Sequence, residues 1–159
     1  MYTNIDTDHA LKVICEWLDS LGPRLPSGFP LEAIKEAMKI VMTNNLFEWG
    51  DMYFLQLMGT AMGTSAACMW ATIYFAVHES STLLPKFTNN LLLLSRFIDD
   101  MIGIWIPSDN TNAWEDFKAA TNNFGILKWE FVEPSLSVDF LDLTITIEPT
   151  RIATRTYQK

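Results

Sequence analysis

Two adjacent carboxylates, Asp99 and Asp100, lie between the apolar runs Leu91-Leu92-Leu93-Leu94 and Met101-Ile102-Gly103-Ile104-Trp105. Burying an unpaired charge is costly, and a divalent cation supplies a reason to keep two together. Mg²⁺ takes carboxylate oxygens together with substrate phosphates and offsets both charges. Asp99 and Asp100 are therefore candidate metal ligands and catalytic carboxylates. The same pair also fits a solvent-facing hairpin tip, where Asp is a common turn residue. Only the neighbouring segments can separate these two readings.

A second chemistry-bearing stretch is Gln56-Leu57-Met58-Gly59-Thr60-Ala61-Met62-Gly63-Thr64. Gly59 and Gly63 leave bare backbone on which a flat base or sugar can rest. Amides at the start of a following helix can face phosphate, and Gln56 can hydrogen-bond a nucleotide or template base. The rival reading is a membrane helix. Residues 52–77 carry no charge, and Gly59/Gly63 form a Gly-x-x-x-Gly pair of the kind that packs membrane helices. Gln56 and the Gly, Thr and Ser content of the middle weigh against it.

The elements that must position these residues read as helices interleaved with antiparallel hairpins, an α+β pattern. Asp6 and Asp8 precede a helical series at Leu11, Ile14, Cys15 and Leu18, which Gly22-Pro23 ends. Pro30 suits the first turn of a second helix with Leu31, Ile34, Met38 and Val41 on its apolar face. Leu46-Phe47-Glu48 and Tyr53-Phe54-Leu55 flank Trp49-Gly50-Asp51 as a short hairpin. An Ala-rich run from Gly63 to about Val77 reads as a buried helix. Leu91 to Ile106 reads as two buried strands joined by the acidic turn. Asn112 is a helix cap, with the helix running to Asn123 and Gly125 at its end. Leu141, Leu143, Ile145 and Ile147 alternate with polar residues as a half-buried strand, and Ile152 to Tyr157 forms the last strand. His9 and His78 read as surface or helix-end residues, and most of the tryptophans as core or element-edge aromatics.

Composition bounds the function. The chain has 159 residues, 49% apolar and 19% charged, which is globular rather than disordered. No N-terminal stretch has the layout of a signal peptide, and Cys15 and Cys68 form no metal or redox motif, so an intracellular location is expected. The net charge of −8, with 11 scattered basic residues, argues against tight nucleic-acid binding by this chain alone.

In order along the chain, these pieces resemble reverse transcriptases, most of all those of Penelope-like retroelements. Tyr2-Thr3-Asn4-Ile5 resembles the tail of the family's first catalytic motif. Gln56 to Thr64 is similar to its Gln-x-x-Gly-Thr-Ala-Met-Gly segment, and Arg96-Phe97-Ile98-Asp99-Asp100 to its Tyr/Phe-x-Asp-Asp box. Phe140-Leu141-Asp142 resembles a later Phe-Leu-Asp strand, and Thr156-Tyr157-Gln158-Lys159 the approach to the thumb. The resemblance implies a polymerase palm-like antiparallel sheet packed on helices. Residues 1–159 would then be a partial reverse transcriptase domain, palm with part of the fingers.

It also implies roles. Asp99 is the principal metal ligand and Asp100 a supporting carboxylate for Mg²⁺ or Mn²⁺. Gln56, Gly59 and Gly63 border the template and incoming nucleotide, and Tyr2 is an aromatic gate against the 2′-hydroxyl. The implied partners of the full-length protein are an RNA template, a DNA primer and a dNTP, with no membrane. The family's first catalytic aspartate falls five residues before the aromatic gate, upstream of Met1, so the chain is expected to be an inactive fragment. Ser65 stands where many relatives have a basic residue, and Cys68 where they usually have proline. A non-catalytic remnant keeping only the palm fold is the alternative within the same ancestry, and a small membrane protein is the alternative outside it. A palm further requires residues 52–77 to break near Gly59 to Gly63. It also requires Tyr2 to begin within ~15 Å of Asp99, three strand spacings.

Overall fold

The computed structural model describes residues 2–61, 63–64 and 66–157, leaving Met1, Met62, Ser65, Gln158 and Lys159 outside the description. After a 3₁₀ turn at Tyr2–Asn4, helix α1 spans Thr7–Leu21. It starts where the sequence places acidic residues: the Asp6 carboxylate accepts the His9 N–H at 2.8 Å, satisfying one otherwise orphan amide. A 3₁₀ turn at Gly22–Arg24 ends it. Helix α2, Leu31–Thr43, follows Pro30 and packs mainly on α1, with Lys35 bridging Asp19 and Glu32. Because α1 covers one strip only, Met42 is the buried residue of α2, while Ile34 and Val41 of the expected apolar face are exposed.

Strands β1 (Leu46–Trp49) and β2 (Met52–Leu55) pair antiparallel through a Gly50-Asp51 turn, with Gly50 at φ +61°. Its base is tied to α2, since Asn45 O accepts the Gln56 N–H at 2.8 Å and Asn45 donates to Met42 O. All eight strand residues are exposed, Trp49 at 75% and Tyr53 at 72%.

The chain then loops past Gly59 and Gly63, at φ +73° and +98°, and helix α3 begins only at Ala67. The sequence reading started this helix too early: Gly63 turns the chain, and the Thr64 hydroxyl and N–H both bond back to Ala61 O. The helix also runs on past Val77. It ends at His78, passes through a π-helical turn at Glu79–Leu83, and closes with α4, Leu84–Lys86. Pro85 has no N–H to give the preceding turn, so the wider turn falls where an α-helical bond is unavailable anyway. Among the described residues, no helix is long and apolar enough to cross a membrane.

β3 (Leu91–Phe97) and β4 (Asp100–Trp105) form the second hairpin, with Phe97 opposite Asp100. Its strands are not buried on both sides. Leu91, Leu94, Met101 and Trp105 pack on the core, but Leu92, Leu93 and Phe97 are exposed, because helices cover one face only. Helix α5, Ala113–Thr121, follows. The Asn112 side chain does not cap it; the Asn112 N–H is instead held by Asn110 Oδ1 at 3.0 Å. β5 (Ser137–Phe140), β6 (Leu143–Glu148) and β7 (Arg151–Thr156) make a three-stranded antiparallel sheet. Leu141-Asp142, read as strand from its alternation, is the β5–β6 turn. The alternation of β6 is inverted in burial: Thr144 is buried and bonds to Asp139 at 2.6 Å, whereas Leu143 and Ile147 are exposed.

Among the described residues, the architecture is α+β with three small antiparallel sheets that are not hydrogen-bonded into one. The core forms around α3, whose Trp70, Ala71, Tyr74 and Phe75 meet Ile5, Ile14, Met42, Leu83, Phe87, Phe117 and Leu127. An all-apolar helix has to be enclosed in this way. Both histidines lie at helix ends, His9 in the first turn of α1 and His78 closing α3, and of the two only His78 is fully buried. His78, 5% exposed, stacks on Phe124 and donates from Nε2 to Ala120 O at 3.0 Å, while His9 Nδ1 lies 2.6 Å from the Tyr74 hydroxyl.

Candidate functional site

The acidic pair sits at the tip of the β3–β4 hairpin. Ile98 and Asp99 form the two-residue loop, and Asp100 opens β4. Ile98 has φ +54°. A positive φ is strained for a β-branched side chain. Both carboxylates face solvent. The acidic turn thus joins the two strands where the sequence places it, and its carboxylates take the solvent-facing position of a hairpin tip, which projects beyond the covered face.

One basic side chain braces this turn from behind. Arg96, 5% exposed, points to the helical side of β3 and meets Glu79 at the start of the π-helical turn, itself 14% exposed. Its Nε donates to Glu79 Oε1 at 2.7 Å and its Nη2 to Glu79 Oε2 at 3.1 Å, a two-pronged ion pair. The remaining donors reach Thr72 O at 2.8 Å and Ile98 O at 3.0 Å, and the guanidinium lies over the Phe75 ring. Sequence reasoning gave Arg96 no role beyond its place in the box. The signal was present: a lone cation amid apolar strand residues needs a partner, and Glu79 is the first charge after the uncharged stretch that begins at Met52.

Beside the turn is a cavity of about 240 Å³ lined by Asn4, Asp99 and the segment Ile126-Leu127-Lys128-Trp129. The chain start and the acidic turn thus share one cavity, with Asn4 two residues past Tyr2, whose backbone belongs to the Tyr2–Asn4 turn. Gln56, Gly59 and Gly63 do not line it. Gln56 donates to Met58 O at 2.8 Å within its own loop, Gly59 O lies 3.4 Å from the Thr7 hydroxyl, and Gly63 is exposed. The glycine segment therefore abuts the beginning of α1. Met62, Ser65, Gln158 and Lys159, which the resemblance also uses, lie outside the described residues, as does a start at Met1 beside the turn.

Two consecutive, solvent-facing carboxylates are hard oxygen donors of the kind Mg²⁺ uses when water and substrate phosphate complete its shell. In that limited sense the residues fit the ion. Among the described residues there is no cluster of three or more His, Cys, Asp or Glu side chains that could hold a metal. Compared with known proteins, the chain matches no family model, and no curated protein or solved structure is similar to it at a significant level.

Proposed function

We propose that the chain is part of a reverse-transcriptase palm, contributing Asp99 and Asp100 to a site for template-directed nucleotidyl transfer. One observation carries the reading: an antiparallel hairpin presents consecutive carboxylates at its tip, and the first of them, Asp99, lines a cavity shared with Asn4 near the chain start. In this reading Asp99 and Asp100 hold Mg²⁺, which when bound supplies charge neutralisation for the nucleotide's phosphates and a more acidic primer hydroxyl. The hairpin keeps the carboxylates exposed to an incoming phosphate. Tyr2 would limit the sugar, and Gln56, Gly59 and Gly63 would border the template and the incoming nucleotide.

The test is a titration of the chain with Mn²⁺, followed by paramagnetic broadening of backbone resonances. Broadening should centre on Asp99 and Asp100 and disappear in Asp99→Asn. Broadening centred elsewhere, or unchanged in Asp99→Asn, overturns the assignment. With two carboxylates at the turn, fewer than the resemblance implies for a complete site, residues 1–159 should not extend a DNA primer on an RNA template. Extension that survives Asp99→Asn would also overturn the reading.

A second reading, a non-catalytic remnant of the same fold, is favoured by a different observation. Phe140-Leu141-Asp142 repeats the Phe97-Ile98-Asp99 turn, with Leu141 also at φ +54°. In that reading Asp99 is only a turn-forming residue, and Mn²⁺ leaves both turns unbroadened.

A further inference from the structure

We infer that Arg96, seated on Glu79, is the positioning residue of the acidic turn: it holds Ile98 in its left-handed conformation and so sets where Asp99 and Asp100 project. This rests on the proposed metal-binding role of that turn. Arg96 donates to three places: the Glu79 carboxylate, Thr72 O of α3 and Ile98 O of the turn. It thereby joins the buried helix α3 to the turn of the hairpin. A planar guanidinium can hold this fork, and a lysine ammonium cannot. The ion pair is largely buried, so removing either partner leaves an uncompensated charge and is strongly destabilising.

The local geometry shows why a brace is needed. Ile98 costs about 1–2 kcal/mol in the left-handed region, so an unsupported turn would relax and swing both carboxylates. The bond from Arg96 Nη1 to Ile98 O acts on the strained residue itself. The π-helical turn contributes by starting at Glu79, where the carboxylate meets the guanidinium edge-on.

The experiment compares amide hydrogen exchange in the unaltered chain, Arg96→Lys, Ile98→Asn and the double variant. Lysine keeps a charge opposite Glu79 but loses the fork. Exchange at Asp100 and Ile102 should accelerate about tenfold in Arg96→Lys, the loss of one hydrogen bond to a charged group. Amides of Ile14 in α1 and Phe117 in α5 should be unchanged. Asn tolerates the left-handed region, so adding Ile98→Asn should shrink the effect of Arg96→Lys to about threefold or less. An equal tenfold effect in both backgrounds, no effect in either, or acceleration spread equally to Ile14 and Phe117 overturns the proposal. If Arg96→Lys does not fold, Glu79→Gln, which keeps size and an acceptor oxygen, carries the same comparison with the same reversals.

In parallel, the Mn²⁺ concentration that half-broadens Asp99 and Asp100 should rise about tenfold in Arg96→Lys. If the unaltered chain shows no broadening there, the metal reading fails, while the exchange comparison still decides whether Arg96 positions the turn.

Discussion

His78 carries its imidazole in a place that disfavours charge. Burial pushes its pKa down, against the opposing pulls of the Ala120 carbonyl and Glu79. The folded chain therefore binds this proton less readily than the unfolded one. The contribution is complete above pH 6.5, the ordinary histidine value, and is lost as pH falls below it. Urea midpoints at about pH 7.5 and about pH 5.5 should differ, with the difference reduced in His78→Gln. At the alkaline end, burial and Asp6 push the Tyr74 hydroxyl from 10.0 up to about 12. That contribution is present below pH 10.0 and is lost as pH rises towards about 12. Gly125 has φ +56°, and a Cβ there would collide with the Tyr74 hydroxyl. Gly125→Ala should destabilise by about 2 kcal/mol in urea unfolding, combining backbone strain and overlap. Neither histidine's role is written in its immediate neighbours. His78 does lie three and four residues after Phe75 and Tyr74, on one helical face, and that spacing could have assigned it to the core.

At the scale of elements, two hairpins use the same local sequence, a Phe, an aliphatic residue and an Asp, to make turns whose first loop residue has φ +54°. Among the described residues, no buried guanidinium bonds to the Leu141 carbonyl as Arg96 does to that of Ile98. Leu141→Asn should therefore relieve strain with little lost packing and raise stability by about 1 kcal/mol, read from the denaturant midpoint. Elements with strong punctuation were legible in the sequence. Asp6 before a periodic run gave α1, and Gly50-Asp51 between two short runs rich in aromatic residues gave β1–β2. The start of α3 was not, because Ala, Gly, Ser and Thr around Gly63 carry no distinct cap. The β3–β4 strands and β6 misled for a different reason. Apolar content records what a strand could bury, whereas Leu92, Leu93, Leu143 and Ile147 stay exposed because no neighbouring element covers their face. In the candidate site, the acidic tip was visible as a tight turn between apolar runs. Its neighbours Asn4 and Lys128, and its brace to Glu79, arise from contacts distant in the chain.

For the whole molecule, pairing beyond adjacent hairpins is what local sequence could not supply, and three separate sheets stand where one was expected. The first of them, β1–β2, has a consequence for how the protein behaves in bulk. Each strand pairs only with the other, so both outer edges are free, and Phe47, Trp49, Met52 and Phe54 occupy one uncovered face. Such ribbons invite edge-to-edge growth between copies. Opposing this is the mutual repulsion of molecules carrying a net charge of −8. The balance is colloidal, and ordinary electrolyte shifts it: at about 0.15 M salt the screening length shrinks to about 8 Å. Light scattering at fixed protein concentration should therefore rise with added NaCl, and Trp49→Lys with Tyr53→Lys should flatten the rise. A flat response in the unaltered chain would mean that the ribbon edges do not recruit one another. Dilute buffer, rather than physiological saline, is then the medium in which this protein keeps longest.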